Sequence, residues 1–287
     1  MTIRAGFIGL GNIGLPMAKR LAAAGLATTV FDVVTARVAE LEAAGARGAA
    51  TPGAVAAASD VVGVCVRDDA DVRAVFAGDA GILAGARRGT IVAIHSTVQP
   101  ATVEALAAEA SPLGVAVVDA CITGGAAGAA QGTLTVMAGG DADAIDRARP
   151  FFDCFAKKTV HTGAIGSGCK TKLCNNLMTY LAWTSIYEAT LLARAAGLSQ
   201  EVLEEVTGSN GNLTEPMRLF IALHKLPDAV RTGPEMQARM RGFVEIAEKD
   251  LAATLALARE CGITLPGTAT ASQIMARVYA LEDPKRR

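Results

Sequence analysis

Short apolar runs alternate with helical stretches over the first half of the chain, and only helical stretches follow. Ala5 to Ile8 is wholly apolar, the mark of a strand buried on both faces. It runs into Gly9-Leu-Gly11-Asn-Ile-Gly14. Ile13, Met17 and Leu21 then recur at the spacing of one helix face. Further strands are predicted at Ala27 to Phe31, Asp60 to Val66, Thr90 to His95, Val115 to Asp119, Thr133 to Ala138 and Thr159 to Thr162. Helical patterns separate them: Ala36 to Ala44, a short helix after Pro52, Asp69 to Phe76, Pro100 to Glu109 and Ala142 to Phe152. Such alternation implies an α/β fold, a Rossmann-type doubly wound and mostly parallel sheet with helices on both faces.

The texture changes at Gly163. Gly163-Ala-Ile-Gly-Ser-Gly168 reads as a linker or helix entry, and Cys169 to Ala196 as one long helix stopped by Gly197. From Leu173 to Ala189 the only charge is Glu188, so this helix is expected to be largely buried. Gln200 to Val206, Glu215 to Leu223, Pro234 to Glu260 and Gly267 to Leu281 are helical as well. Two domains are therefore expected: a dinucleotide-binding domain over residues 1–163 and an all-α domain over residues 164–287.

Composition narrows the classes. Hydrophobic residues make up 51% and charged residues 19% of the chain, enough for a sizeable core and too apolar for disorder. The net charge is −1, and the only basic run is Lys285-Arg-Arg287, which excludes an electrostatic case for nucleic acid. Ala120 to Gly140 carries no charge, but its six glycines make it a poor membrane span. The six cysteines include no C-x-x-C, and the histidines stand apart at 95, 161 and 224. No metal spacing results, and the thiols read as reduced and mostly buried. The expectation is a soluble cytoplasmic protein with no metal.

Three segments carry chemistry. In strand, glycine turn and helix, the first glycine permits the bend, the second lets a pyrophosphate approach, and the third lets helix and strand pack. That assigns Gly9, Leu10, Gly11, Asn12, Ile13 and Gly14 to a dinucleotide, with a plain structural turn as the alternative. Asp32 ends the second strand, 18 residues past Gly14. A carboxylate there accepts from both ribose hydroxyls and repels a 2′-phosphate, which favours NAD over NADP. Lys172 and Asn176 are four residues apart, on one helical face. They are either part of a solvated face or a general base with a hydroxyl-binding amide. Asp119-Ala-Cys-Ile-Thr-Gly-Gly125 is a strand end opening into a glycine-rich loop. It is either a tight turn or a carboxylate cradle made by the Thr123 hydroxyl and the Gly124 and Gly125 amides.

Taken together these segments resemble the β-hydroxyacid dehydrogenase family, which includes 3-hydroxyisobutyrate and tartronate-semialdehyde dehydrogenases, over about residues 4 to 280. The N-terminal stretch is similar to G-F-I-G-L-G-x-M-G-x-P-M-A. Asp119 to Gly125 is similar to D-A-P-V-S-G-G, and Gly166 to Asn176 to G-x-G-x-x-x-K-x-x-N-N. Lys249-Asp250-Leu251 is similar to K-D-L. The resemblance implies oxidation of a small β-hydroxy acid to its semialdehyde, with Lys172 as general acid/base. Thr123, Gly124, Gly125 and Asn176 would bind the substrate carboxylate and hydroxyl. Val66, Ser96 and Thr97 would join the cofactor contacts, and Lys249 would stand on the nicotinamide side. A homodimer or homotetramer is implied.

Departures from the family pattern include Arg67, His95, Cys121 and Thr123. Arg67 and His95 either alter the substrate or the nicotinamide environment or are harmless surface changes, and the extra methyl of Thr123 would narrow the pocket. Two other readings stand beside the first. One is an NAD(P)H-dependent reductase of glyoxylate or succinic semialdehyde. The other is a non-catalytic NAD-binding scaffold, against which Lys172 and Asn176 weigh.

Overall fold

The computed structural model describes residues 3–283 and 285. The chain forms two compact units, one ending at Lys172 and the other beginning at Leu173. The first is built on eight strands: β1 (Ala5–Ile8), β2 (Thr28–Phe31), β3 (Arg47–Gly48), β4 (Val61–Val64), β5 (Ile91–Ile94), β6 (Ala116–Thr123), β7 (Leu134–Gly139) and β8 (Ala156–Gly163). Their order across the sheet is β3-β2-β1-β4-β5-β6-β7-β8. All pairs are parallel except β6 with β7. Its helices are α1 (Gly14–Ala23), α2 (Thr35–Glu42), α3 (Pro52–Ala58), α4 (Asp69–Phe76), α5 (Ile82–Gly85), α6 (Pro100–Ala110), α7 (Gly125–Gln131) and α8 (Ala142–Phe152).

Successive strand residues point to opposite faces, and the core divides accordingly. Phe7, Val61, Ile91 and Val118 belong to one cluster, with Met17, Leu21 and Phe151. Their neighbours Ile8, Val62, Val92 and Val117 belong to a second, with Val103 and Leu106. A strand buried on both faces needs an unbroken apolar run, which is why β1, β4 and β5 stand out in the sequence. The order reverses at β1, between β2 and β4. The crevice at the carboxyl ends of β1 and β4 is therefore the switch point where such sheets bind ligands.

The long helix α9 (Ser167–Ala195) begins in the first unit. The second unit continues with α10 (Gln200–Ser209), α11 (Glu215–His224), α12 (Asp228–Arg231), α13 (Pro234–Glu260) and α14 (Pro266–Val278). Its core gathers Tyr180, Phe220, Ile221, Val244, Leu251 and Met275. No helix among the described residues is long and apolar enough to cross a membrane. Of the terminal basic triplet, only Lys285 lies within the described residues.

Several expectations need correction. Helix α9 is not largely buried: Met178 and Leu192 are each 71% exposed. A charge-free run excludes a solvated polar face but does not say what covers the apolar one. The segment after Asp119 is not a loop. Strand β6 continues to Thr123, because it pairs antiparallel with β7 through Thr123 and Thr135. Helix α7 follows immediately after Gly124. The thiols are not mostly buried: Cys121 and Cys169 are, Cys65 and Cys154 are half-buried, and Cys174 and Cys261 are exposed.

Candidate active site

The glycine turn joins the carboxyl end of β1 to α1. Gly9 has φ +90°, and a Cβ there would overlap the Cys65 carbonyl. At Gly14 a Cβ would overlap the Gly9 carbonyl, so α1 packs against its own turn at backbone distance. Gly11 differs: its Cβ position meets no atom within 4 Å. That open cradle lies beside the start of α1, where no side chain caps the helix and no acid stands in the first turn. Uncapped N–H groups and the positive end of the helix dipole suit a pyrophosphate. The residues present therefore fit a dinucleotide.

Asp32 closes the other side of the turn. Its Oδ2 accepts from the Leu10 N–H at 2.5 Å and its Oδ1 from the Val34 N–H at 2.7 Å. Arg37, on the first turn of α2, places Nη1 3.9 Å from Asp32 Oδ2. The two residues after Asp32, Val33 and Val34, give no sign of this guanidinium, which returns to the carboxylate through the first turn of α2. Ser96 Oγ accepts from the Val66 N–H at 2.8 Å and donates to the Val66 carbonyl at 2.9 Å. This hydroxyl fastens the ends of β4 and β5 together. Thr97 is half-buried next to it. Gly9 to Gly14, Asp32, Val66, Ser96 and Thr97 thus gather at the carboxyl ends of β1, β2, β4 and β5.

One of the unusual residues proves not to belong to this crevice. His95 is 2% exposed and stacks on Phe7 and Phe151, with the edges of Phe152 and Phe155 around it. Its Nδ1 lies 2.7 Å from the Ala120 carbonyl, so Nδ1 carries the proton in the neutral ring. Burial lowers its pKa to about 4. It is a core residue, neither a surface change nor a cofactor contact. The Arg67 side chain is 85% exposed and pairs with Asp71 at 2.7 Å. Cys121 is buried with its Sγ 3.7 Å from Cys169 Sγ.

Thr123, Gly124 and Gly125 lie where β6 passes into α7. Gly124 has φ +122° and Gly125 φ +64°, conformations that favour glycine. Asp119, four residues earlier, holds the start of α9. Its Oδ1 accepts from the Gly166 N–H at 2.9 Å and its Oδ2 from the Cys169 N–H at 2.7 Å. Lys172 follows one turn later, half-buried.

In the helical unit, Asn176 and Lys249 meet at Asp250, an acid to which the sequence alone assigns no role. Asp250 accepts from Asn176 Nδ2 at 2.7 Å and from Tyr180 OH at 3.1 Å, both through Oδ2. Its Oδ1 lies 2.9 Å from Lys249 Nζ. Burial, and then the Asp250 charge, raise the Tyr180 pKa, so its hydroxyl remains a donor. The available signal was its place in Lys249-Asp250-Leu251.

Residues 4–163 match the NAD binding domain of 6-phosphogluconate dehydrogenase. Residues 166–286 match the NAD-binding domain of NADP-dependent 3-hydroxyisobutyrate dehydrogenase. The chain belongs to the 3-hydroxyisobutyrate dehydrogenase (β-hydroxyacid dehydrogenase) family. It is an NAD(P)-dependent oxidoreductase of that family. A relative named NAD-dependent L-serine dehydrogenase, from Pseudomonas aeruginosa, is 35% identical over 85% of this chain and 82% of its own. The 2-(hydroxymethyl)glutarate dehydrogenase of Eubacterium barkeri is 32% identical, over 95% of this chain and 88% of its own. Among solved structures, Mycobacterium tuberculosis 3-hydroxyisobutyrate dehydrogenase with L-serine superposes with a TM-score of 0.81 at 30% identity. That match covers 98% of this chain and 94% of the other.

Proposed function

We propose that this enzyme oxidises a primary β-hydroxy carboxylate, HO–CH2–CH(R)–COO−, to its semialdehyde, with NAD as the hydride acceptor. L-serine, 3-hydroxyisobutyrate and 2-(hydroxymethyl)glutarate, the compounds in the names of its relatives, share this skeleton. They differ only in R, which is ammonium, methyl or carboxyethyl. What carries the reading is the pair Lys172 and Asn176, a base and an amide on consecutive turns of α9.

Gly9 to Gly14 and the start of α1 hold the pyrophosphate, and Asp32 takes the ribose hydroxyls on the lone pairs its own backbone contacts leave open. Val66, Ser96 and Thr97 flank the cofactor, with Lys249 on the nicotinamide side. Bound NAD supplies the hydride acceptor. Thr123 Oγ1 and the amides of Gly124 and Gly125 bind the substrate carboxylate. Asn176 holds the hydroxyl oxygen, and Lys172 Nζ takes its proton as the alcohol becomes a carbonyl. Fixing the hydroxyl against the acceptor supplies much of the rate.

The domain roles follow: residues 1–163 bind the dinucleotide, and residues 164–287 complete the substrate site and form a homodimer or homotetramer. Met178, Leu192, Val202 and Val206 are all at least half exposed, apolar side chains that a partner subunit would cover. An open groove of about 500 Å³ runs along α9 and α14 past Leu181, Leu192 and Gly267. Light scattering on the purified protein checks the assembly.

The decisive experiment is a panel of 3-hydroxypropanoates differing in R, each assayed with NAD and with NADP. Turnover of at least one with NAD, abolished by Lys172→Ala, is expected. No turnover with either cofactor, or full activity in Lys172→Ala, overturns the proposal.

A further inference from the structure

Asp250 is 1% exposed. A carboxylate withdrawn from water is costly unless it is paired and hydrogen-bonded. Here the partners are Asn176, Tyr180 and Lys249, and two of those three are proposed to touch substrate or cofactor. The chemistry of the contact restricts Asn176 in a definite way. An ionised carboxylate only accepts hydrogen bonds, whereas a primary amide has a donor end and an acceptor end. Asp250 therefore admits the NH2 end of Asn176. Turning the amide by 180° would set its carbonyl against the carboxylate, oxygen to oxygen.

We propose that Asp250 is a positioning residue that fixes the amide of Asn176. One Nδ2–H goes to Asp250 and the other is left to donate to the hydroxyl oxygen of the substrate. The inference rests on the β-hydroxy-acid reading and on Asn176 as the hydroxyl-binding group. As the hydroxyl loses its proton, a donor must already face the oxygen. An amide free to flip presents its carbonyl part of the time, which repels that oxygen. Lys249 stands on the other carboxylate oxygen and balances its charge. Asp250 thus holds two functional side chains from one buried point without touching the substrate.

The test is a double-mutant cycle on Asn176→Ala and Asp250→Asn, with the best hydroxy acid of the panel. Asp250→Asn keeps the volume but offers either a donor or an acceptor, so the amide of Asn176 is no longer held one way. A loss in kcat of about a hundredfold is expected, the scale of a misplaced reacting group. If Asp250 acts through Asn176, the double variant is no slower than Asn176→Ala alone, because residues that act as a unit are not additive. Losses that multiply, or an Asp250→Asn enzyme with full kcat, overturn the inference while leaving the parent reading intact. A wild-type enzyme that oxidises no hydroxy acid overturns both. A second measurement does not depend on the variant folding: the side-chain NH2 resonances of Asn176 in wild-type protein labelled with 15N-asparagine. Slow exchange with solvent in the absence of substrate supports the contact, and exchange as fast as a surface asparagine's overturns it.

Discussion

Asp119 and Cys169 join the strand that carries Thr123 to the helix that carries Lys172. The Asp119 carboxylate accepts from the Cys169 N–H at 2.7 Å and, through its other oxygen, from the Gly166 N–H at 2.9 Å. The first N–H groups of a helix have no partner within it, and here a buried side chain from β6 supplies one. Burial raises the Asp119 pKa, and the two backbone donors offset part of that rise. The cost of burying the charge thus appears as the pH climbs through the carboxylate range, whereas the tether itself needs two acceptors. Asp119→Asn keeps one acceptor and turns an NH2 toward the other N–H. We expect it to lose about 1–3 kcal/mol of stability, the cost of an unsatisfied buried donor, measured by urea unfolding at pH 7.

His95 gives the protein an acid limit. In the folded state the aromatic box lowers its pKa from 6.5 to about 4. Between those values the unfolded chain binds more protons, so stability falls as pH drops. The effect is absent above about pH 6.5, grows down to about pH 4 and then levels off. It amounts to about 3 kcal/mol at 1.36 kcal/mol per pKa unit. Asp60 is lowered from 3.8 to about 2, chiefly by its hydrogen bond with Arg4. It weakens the fold only below its ordinary value, so the two windows separate. Chemical denaturation of wild type and His95→Leu from pH 4 to 7.5 checks this: the slope between 4 and 6.5 should shrink in the variant.

The parallel core was legible because each doubly buried strand writes a continuous apolar run. Val61 to Val64 and Ile91 to Ile94 are strands for that reason alone. The glycine turn was legible because close backbone contact at Gly9 and Gly14 tolerates no other residue. What stayed hidden depends on contacts between distant segments. Strand β3 is two residues long and exists through pairing with β2. His95 read as a cleft residue, because nothing local says that Phe7, Phe151, Phe152 and Phe155 close around it. Asp250 gained a role only once α13 placed it against Asn176 and Tyr180, 74 and 70 residues earlier in the chain.

Arg37 bears on the choice of cofactor. It lies 3.9 Å from Asp32 Oδ2 and is partly exposed. With the carboxylate present its charge is countered, and a 2′-phosphate would meet Asp32. Replacing Asp32 by Ser leaves the guanidinium uncompensated beside the 2′ position. We expect Asp32→Ser to move the ratio of kcat/KM for NADP over NAD by roughly tenfold or more, equivalent to about 1.4 kcal/mol. Adding Arg37→Ala should remove most of the gain. An Asp32→Ser enzyme with the wild-type ratio would place the selectivity elsewhere.

The glycines of the turn should separate by what fills the space of their missing side chains. At Gly14 an added methyl would strike the Gly9 carbonyl, so Gly14→Ala must push α1 away from β1. It should lower the thermal midpoint and cofactor affinity together, since overpacking typically costs about 1–3 kcal/mol. At Gly11 the methyl meets no protein atom within 4 Å. The protein has nothing to lose there, but a pyrophosphate that needs close backbone approach does. Gly11→Ala should therefore keep the wild-type melting temperature without ligand while losing most of the shift that NAD confers. Thermal melts with and without NAD read both quantities at once. A Gly11→Ala protein stabilised by NAD as fully as the wild type would mean that the pyrophosphate does not lie over Gly11.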